Sequence, residues 1–378
     1  MKQIETRALA PARSRAASTS RAAAAAAIAL CGVTLGCSTD EPDPGTQGVL
    51  HEEIIGGFPA TGAQLNAIGA IARVVNGQLV PFTTGTLISP TMVLATKHNL
   101  RSITDVAQVK FLIGPDAFAP LRAVPVRGFA VEPTVSGGLT DNGSDVGILH
   151  LAEPIVDVPL LAVAALTDDR IGSRMVGVGY GAQNSAGVRG TRRAGSMTVQ
   201  ATSGSALAAA FGTFDTFLAR GGDALPPGVD PRDPANRPFL QQVYDTELLL
   251  PGIEAWIGGG PEDAMACQGD GGAPVIAQVG ARTTVFGVSS WRYAPSDLAC
   301  QPIGAAYATM NPIALDFVDY EAHCPLVPRA GTCESPVIAV RCARGDEGGR
   351  RVLRTDCGQL GQVCGFDAAG ALGCVDPR

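Results

Sequence analysis

From about residue 54 to 320 the chain is a succession of short apolar runs separated by turn residues: AIGAIARVV, TTGTLI, MVLAT, VAQVKFLIG, VGILHL, MVGVGY, PVIAQV, TTVFGVSSW and AAYATM. Each is strand-sized, and most carry the β-branched residues that pack well on a pleated surface. Helical patterning does not alternate with them, so the rhythm predicts an all-β sandwich or barrel and not a βαβ fold. Residues 202–236, from the helix-like patch TSGSALAAAFGTFDTFLARGG to the Pro/Asp-rich DPRDPAN, interrupt the rhythm and read as an insertion. The core is predicted to close with a helix in NPIALDFVDYEAHC, where Asn311 is placed to cap and Pro312 to occupy the first turn.

Composition agrees with this picture. The chain has 378 residues, 46% hydrophobic and 17% charged, enough for one large core or two smaller ones. The 47 Gly and 27 Pro supply the turns of an all-β protein. A formal net charge of −7 leaves no basic surface for nucleic acid, which is excluded as a partner.

The N-terminus changes the picture. Lys2, Arg7, Arg13, Arg15 and Arg21 precede the apolar run AAAAAAIALCGVTLG, which ends directly before Cys37. This is the layout of an export signal, too short for a membrane span. The stretch TLGC resembles a bacterial lipoprotein processing site, with Thr34 where Leu is usual, and implies a lipid on Cys37 and attachment to a membrane. An ordinary cleaved signal in which Cys37 is incidental is the alternative. Residues 1–37 are thus the export signal, and 38–53, opening with STDEPDPGTQG, a flexible tether or propeptide. The folded protein is expected outside the cytoplasm, in the cell envelope or beyond it, where disulfides form.

At the other end, residues 324–378 hold Cys324, Cys333, Cys342, Cys357, Cys364 and Cys374 in a Gly/Arg/Asp-rich stretch. This predicts a small module stapled by disulfides. A zinc site is disfavoured because there is no CxxC pair and the only nearby histidine is His323. No cofactor or metal is expected elsewhere. Six cysteines allow fifteen pairings, and Cys324 is also placed to tether the end of the terminal helix.

Four segments carry candidate chemistry. GTLISPTMVLATKHNL puts His98, one of four histidines, at the end of a strand-like run. DNGSDVGILHL puts Asp145 at the start of another, where a partly buried carboxylate needs a donor such as an imidazole. HEEIIGGFPA begins the folded region at Ile54, and cutting before it would create an ammonium for which Asp270 in CQGDGGAPV is a candidate anion. That glycine-rich run is either a tight turn or an anion cradle.

In order and at roughly their spacing, IIGG, LISPTMVLATKH, SDVGILHL, CQGDGGAP and GVSSW resemble the trypsin-like, chymotrypsin-fold serine proteases over residues 54–323. The resemblance implies two antiparallel six-stranded β-barrels with a cleft between them, a C-terminal helix, and then the Cys-rich module. It implies that His98 is the general base, Asp145 its orienting carboxylate, and Ile54 with Asp270 the activation pair. Gly269 and Gly271 would supply oxyanion N–H groups, and Cys267 and Cys300 a disulfide bracing a specificity pocket built from Met265, Ser290, Trp291 and Arg292.

The departures decide the expected function. Where the family has GDSGGP this chain has GDGGAP, so Gly271 stands at the nucleophile position and covalent catalysis has no side chain to use. In serine proteases, loss of that residue costs ~10⁶ in kcat. Asn99 and Thr83 replace a family disulfide, Glu53 precedes Ile54 where a trypsin-like activator needs Arg or Lys, and Arg292 replaces a glycine at the pocket entrance. The expectation is an exported homologue without protease activity that binds an extended peptide or protein in its cleft. The alternatives are an active serine endopeptidase, and adhesion or matrix binding through the Cys-rich module.

Overall fold

The computed structural model describes residue 54 and residues 56–377, apart from 135–142, 183–187, 222–224, 227, 294–302 and 345–348. The export signal, Cys37, the tether and Cys300 lie outside the described residues.

A two-residue strand, β1 (Phe58–Pro59), leads into a closed six-stranded antiparallel barrel. Its strands are β2 (Ile68–Val75), β3 (Gln78–Ser89), β4 (Met92–Ala95), β5 (Val109–Ile113), β6 (Arg122–Val131) and β7 (Gly147–Leu151), in the order β2-β3-β4-β7-β6-β5. A short helix, α1 (Lys97–Arg101), follows β4. After β8 (Ala162–Val163) come β9 (Arg174–Gly179), β10 (Arg193–Ala201), β11 (Glu254–Ile257), β12 (Pro274–Val279), β13 (Arg282–Trp291) and β14 (Ala305–Thr309). These last six run β10-β11-β14-β13-β12-β9, and β9 pairs back onto β10 to close a second barrel. Ile71, Leu87, Leu94, Phe111 and Leu149 fill the first barrel, and Val199, Val275, Phe286 and Tyr307 the second. Each such side chain contributes about 1.5–3 kcal/mol on burial.

The nine apolar runs correspond to nine of these twelve strands. Three strands went unread: β6, β10 and β11. β6 carries Pro125, β10 reads RAGSMTVQA with few large apolar residues, and β11 has only four residues.

Between β10 and β11 lie α2 (Ala206–Phe211), α3 (Phe214–Arg220) and α4 (Arg237–Thr246). Ser205 and Thr213 cap the first two by accepting from the amides of Ala208 and Thr216. The insertion therefore carries more helix than its sequence suggested, and α4 lies wholly beyond the expected boundary at residue 236. Its aromatic side continues into the second barrel: Phe211 lies 6.3 Å from Tyr293, which lies 5.5 Å from Trp256 and 5.4 Å from Trp291.

The terminal helix α5 (Pro312–His323) forms as the capping pattern predicts, with Asn311 Oδ1 accepting from the amides of Ile313 and Ala314 at 2.9 and 3.0 Å. It packs on the first barrel through buried Phe317, while Glu321 takes a 2.9 Å hydrogen bond with buried His150 of β7. Beyond it, β15 (Thr332–Ser335), β16 (Ile338–Arg344) and β17 (Arg350–Asp356) form one sheet, and β18 (Val363–Phe366) and β19 (Leu372–Val375) a hairpin. The disulfides are Cys324–Cys342, Cys333–Cys364 and Cys357–Cys374. One of the fifteen pairings is thereby selected, and Cys324 does tether the helix end. Asp316 of α5 accepts from Arg329, Arg344 and Arg350, which lays the module against the helix.

Candidate active-site cleft

Strand pairing brings His98 and Asp145 together. β4 pairs with β7 so that Ala95 faces Gly147, which leaves the residues just beyond one and just before the other side by side. Asp145 Oδ1 accepts from the His98 amide at 2.9 Å, and Oδ2 lies 2.6 Å from His98 Nδ1. Ser290 Oγ donates to the same Oδ2 at 2.6 Å. Burial pushes the Asp145 carboxyl up, but the His98 hydrogen bond and charge, with the bond from Ser290, outweigh it and hold the group below the usual carboxylate range. A carboxylate on Nδ1 puts the ring proton there, so Nε2 faces the cleft as the free ring nitrogen. Lys97, beside His98, is fully buried and points away, with Nζ 2.7 Å from the Thr134 carbonyl and 3.5 Å from Glu132.

The run CQGDGGAPV forms the opposite wall. Asp270 is 1% exposed and turns inward, accepting from the amides of Gly181 and Cys267 at 2.8 Å each. Glycine is required around it: a Cβ on Gly179 or Gly181 would come within 2.0 or 2.5 Å of its carboxyl group. Burial raises Asp270 to about 6, against the lowering pull of those two amides and of the Arg292 charge. Ile54 is buried in the second-barrel core, and in the intact chain its nitrogen is bonded to Glu53, so no ammonium faces Asp270. Cys267 is disulfide-bonded, while Cys300, its expected partner, falls outside the described residues.

The backbone of this loop is held in a specific shape. The Gly271 carbonyl accepts from Thr84 N at 3.0 Å and from Thr83 Oγ1, anchoring the loop to β3 of the first barrel. The Gln268 carbonyl accepts from Ala182 N at 2.6 Å, which fixes the plane of the following peptide. The Gly269 and Gly271 N–H groups donate to nothing among the described residues, and both glycines line the cleft.

The cleft, about 360 Å³, lies between the barrels, with Phe82, His98 and Asn99 on one side and Gly269, Gly271, Ser290, Trp291 and Arg292 on the other. A Cβ built on Gly271 would stand 3.6 Å from His98 Nε2 and only 2.4 Å from Asn99 Nδ2. The Asn99 amide, held by a 2.8 Å bond to Thr96 Oγ1, thus occupies the room a side chain at 271 would need. Arg292 lines the cleft, while Met265 is buried and is not among its lining residues.

The paired barrels fit a trypsin-like fold. No protein-family model matches the chain, and no curated protein matches it. The structure brings His98, Asp145, Ser290, Gly269 and Gly271 together around one cleft, with Asp270 directly beneath. Sequence reasoning missed the part played by Asn99, noted only for a lost disulfide, and the presence of Arg189 in the cleft lining. The basic run RGTRR was the available signal for Arg189.

Proposed function

We propose that this is an exported serine-protease homologue that has lost its nucleophile and works by holding an extended peptide or protein segment in its cleft. One observation carries the reading: the residue whose Cβ would approach His98 Nε2 is Gly271, and an asparagine amide fills the space beside it. Without an attacking side chain, an arrangement of base, carboxylate and uncommitted amides binds without cleaving.

The route for a peptide is an unpaired strand edge. β12 pairs with β13 only as far as Pro274 opposite Val288, and the last bonds beyond it join Ser289 to Gly272 and Ala273. Among the described residues no strand continues the β12 ladder past Ser289 along Ser290 and Trp291, whose other edge pairs with β14 at Ala306, and strand addition requires such an edge. Export and a lipid on Cys37 complete the reading, supported by the N-terminal sequence and by disulfides suited to an oxidising compartment.

The test is treatment of the mature chain with a fluorophosphonate serine probe and with casein. Wild-type labelling or casein cleavage supports the endopeptidase alternative and ends this proposal. Absence of both, with capture of peptides that Trp291→Ala weakens, supports it. A Cys37→Ala chain that still partitions into membranes rules out the lipid.

A further inference from the structure

We propose that the molecule has a second binding site, a recess between the first barrel and the start of the Cys-rich module, which takes a small organic cation: an ammonium on an apolar body, paired with Glu321. This site is independent of the cleft and of the peptide-binding reading.

The recess holds about 370 Å³ and has three walls. β6 supplies Phe129, Ala130 and Val131, and α5 supplies Phe317, Tyr320 and Glu321, whose spacing sets them on one helix face. Residues 326–329, which lead from α5 into the module, form the third. That wall is fixed in place: the Cys324–Cys342 disulfide anchors its start, Val327 N donates to the Cys324 carbonyl at 3.1 Å, and the Tyr320 hydroxyl donates to the Pro328 carbonyl at 3.1 Å. Leu326 sits at φ +64°, a backbone that side chains other than glycine rarely adopt, and leans over Gly128 of β6, where a Cβ would come within 3.3 Å of its Cδ1. The volume falls at the small end of ligand pockets, which span ~300–1,000 Å³.

One carboxylate interrupts this apolar lining. The Glu321 side chain is only 6% exposed, and only one of its oxygens is used. Oε2 lies 2.9 Å from His150 Nε2 and accepts from Leu326 N at 3.4 Å, whereas Oε1 has no hydrogen bond among the described residues. His150 Nδ1 is sealed without a partner; Oε1 is not sealed, and the recess is the space that Glu321 lines.

Nothing nearby cancels the charge on Glu321. A carboxylate on Nε2 draws the ring proton of His150 to that nitrogen and leaves Nδ1 an acceptor, whereas an imidazolium would enclose an unmatched charged N–H at greater cost. The ring therefore supplies a hydrogen bond without a positive charge. Arg329 also lines the recess, but its Nη1 lies 3.1 Å from Asp316 and its guanidinium 4.9 Å over the Tyr320 ring. Arg350 pairs with Asp316 and Asp319, and Lys97 with Glu132. A buried carboxylate without a cation is costly, and an apolar recess opening onto it suits a ligand that brings both the cation and the apolar body. An anion would meet a like charge, and a neutral molecule would leave Glu321 unmatched.

The probes are 2-phenylethylamine, 2-phenylethanol and phenylacetate, similar in size and carrying positive, no and negative charge, titrated with the mature chain by ligand-observed NMR. The amine is expected to bind with Kd of about 1 mM or tighter, at least ~10-fold better than the alcohol, with phenylacetate weakest. Glu321→Gln keeps the side-chain shape and an acceptor for His150, and is expected to bring the amine down to the level of the alcohol. Leu326→Gly suits the left-handed backbone and so preserves the fold, but removes part of the apolar wall; amine and alcohol are expected to weaken together by about 3-fold or more. Equal binding of amine and alcohol overturns the charge pairing. An amine preference that survives in Glu321→Gln, or amine affinity unchanged in Leu326→Gly, overturns the location, and the second variant decides this alone where the first does not fold. Absence of amine binding up to ~10 mM overturns the site altogether.

Discussion

Gly271→Ser is the most direct perturbation of the cleft. Position 271 has no left-handed backbone requirement, so serine fits its conformation. Its Cβ would stand 3.6 Å from His98 Nε2, and Oγ, one bond further, falls within hydrogen-bond reach of the imidazole. The obstacle is Asn99 Nδ2, 2.4 Å from that Cβ where ordinary contact begins at 3.4 Å. The amide must give way by about 1 Å and surrender its bond to Thr96, at a cost of about 0.5–1.5 kcal/mol. That corresponds to roughly 2- to 10-fold in the fraction of molecules with a competent serine. The assay is the rate of labelling by a fluorophosphonate, with wild type and Gly271→Ala as controls. Both controls are expected to stay unlabelled, Gly271→Ser to label, and Asn99→Ala/Gly271→Ser to label faster by that factor. If the second substitution brings no gain, the steric account of Asn99 is wrong. If neither serine variant labels above Gly271→Ala, the alignment of His98 with the loop amides is not that of a working site.

Other outcomes follow from the buried charges. Arg192, fully buried, donates to the carbonyls of Ala60, Gly62, Leu65 and Ile68 and to Asn66 Oδ1, so Arg192→Met is expected to cost about 3 kcal/mol or more, read by urea unfolding. Asp270 is raised to about 6, so the native state keeps its proton longer than the unfolded chain. Its contribution favours folding below about pH 4 and is lost as pH rises through about 6, a fall of roughly 2–3 kcal/mol that Asp270→Asn is expected to flatten in the same assay. Asp145 has the opposite sign: it lies below the usual carboxylate range, so its contribution holds above about pH 4 and fades under it. Asp316→Ala removes the shared partner of Arg329, Arg344 and Arg350; these side chains are partly exposed, so a loss of only about 1 kcal/mol is expected, seen as faster hydrogen exchange in β16 and β17.

Local features were the legible ones. Strand runs such as MVLAT and VGILHL, the Asn311 cap and the cysteine-dense tail each carry their signal within a dozen residues. What the chain concealed was long-range. Nothing near Asn99 announces that its amide lies against Gly271, because that contact depends on β3 holding the loop through Thr83 and Thr84. The pairing Cys333–Cys364 spans 31 residues and follows from how the β18–β19 hairpin sits beside β15. β10 stayed hidden because its buried positions, on both faces, are filled by small residues such as Ala194 and by Met197, which bury well without forming a strongly apolar run. His98 and Asp145 were found by motif, but the role of Ser290 as a second donor to Asp145 required the two barrels to be in place.

The aromatic stack that joins the insertion to the second barrel has a spectroscopic consequence. The chain has only two tryptophans, Trp256 and Trp291, and both belong to that stack, with ring centres 5.7 Å apart. Trp256 is wholly enclosed and bonded through Nε1 to the Ile303 carbonyl, whereas Trp291 forms part of the cleft wall and is bonded to Glu254. Red-edge emission from this protein therefore originates at one place, with one emitter sheltered and its neighbour at the mouth of the cleft. An occupant pressing on Trp291, or a loosening of α2 to α4 behind it, changes the colour and yield of the whole signal, so the molecule carries its own reporter dye.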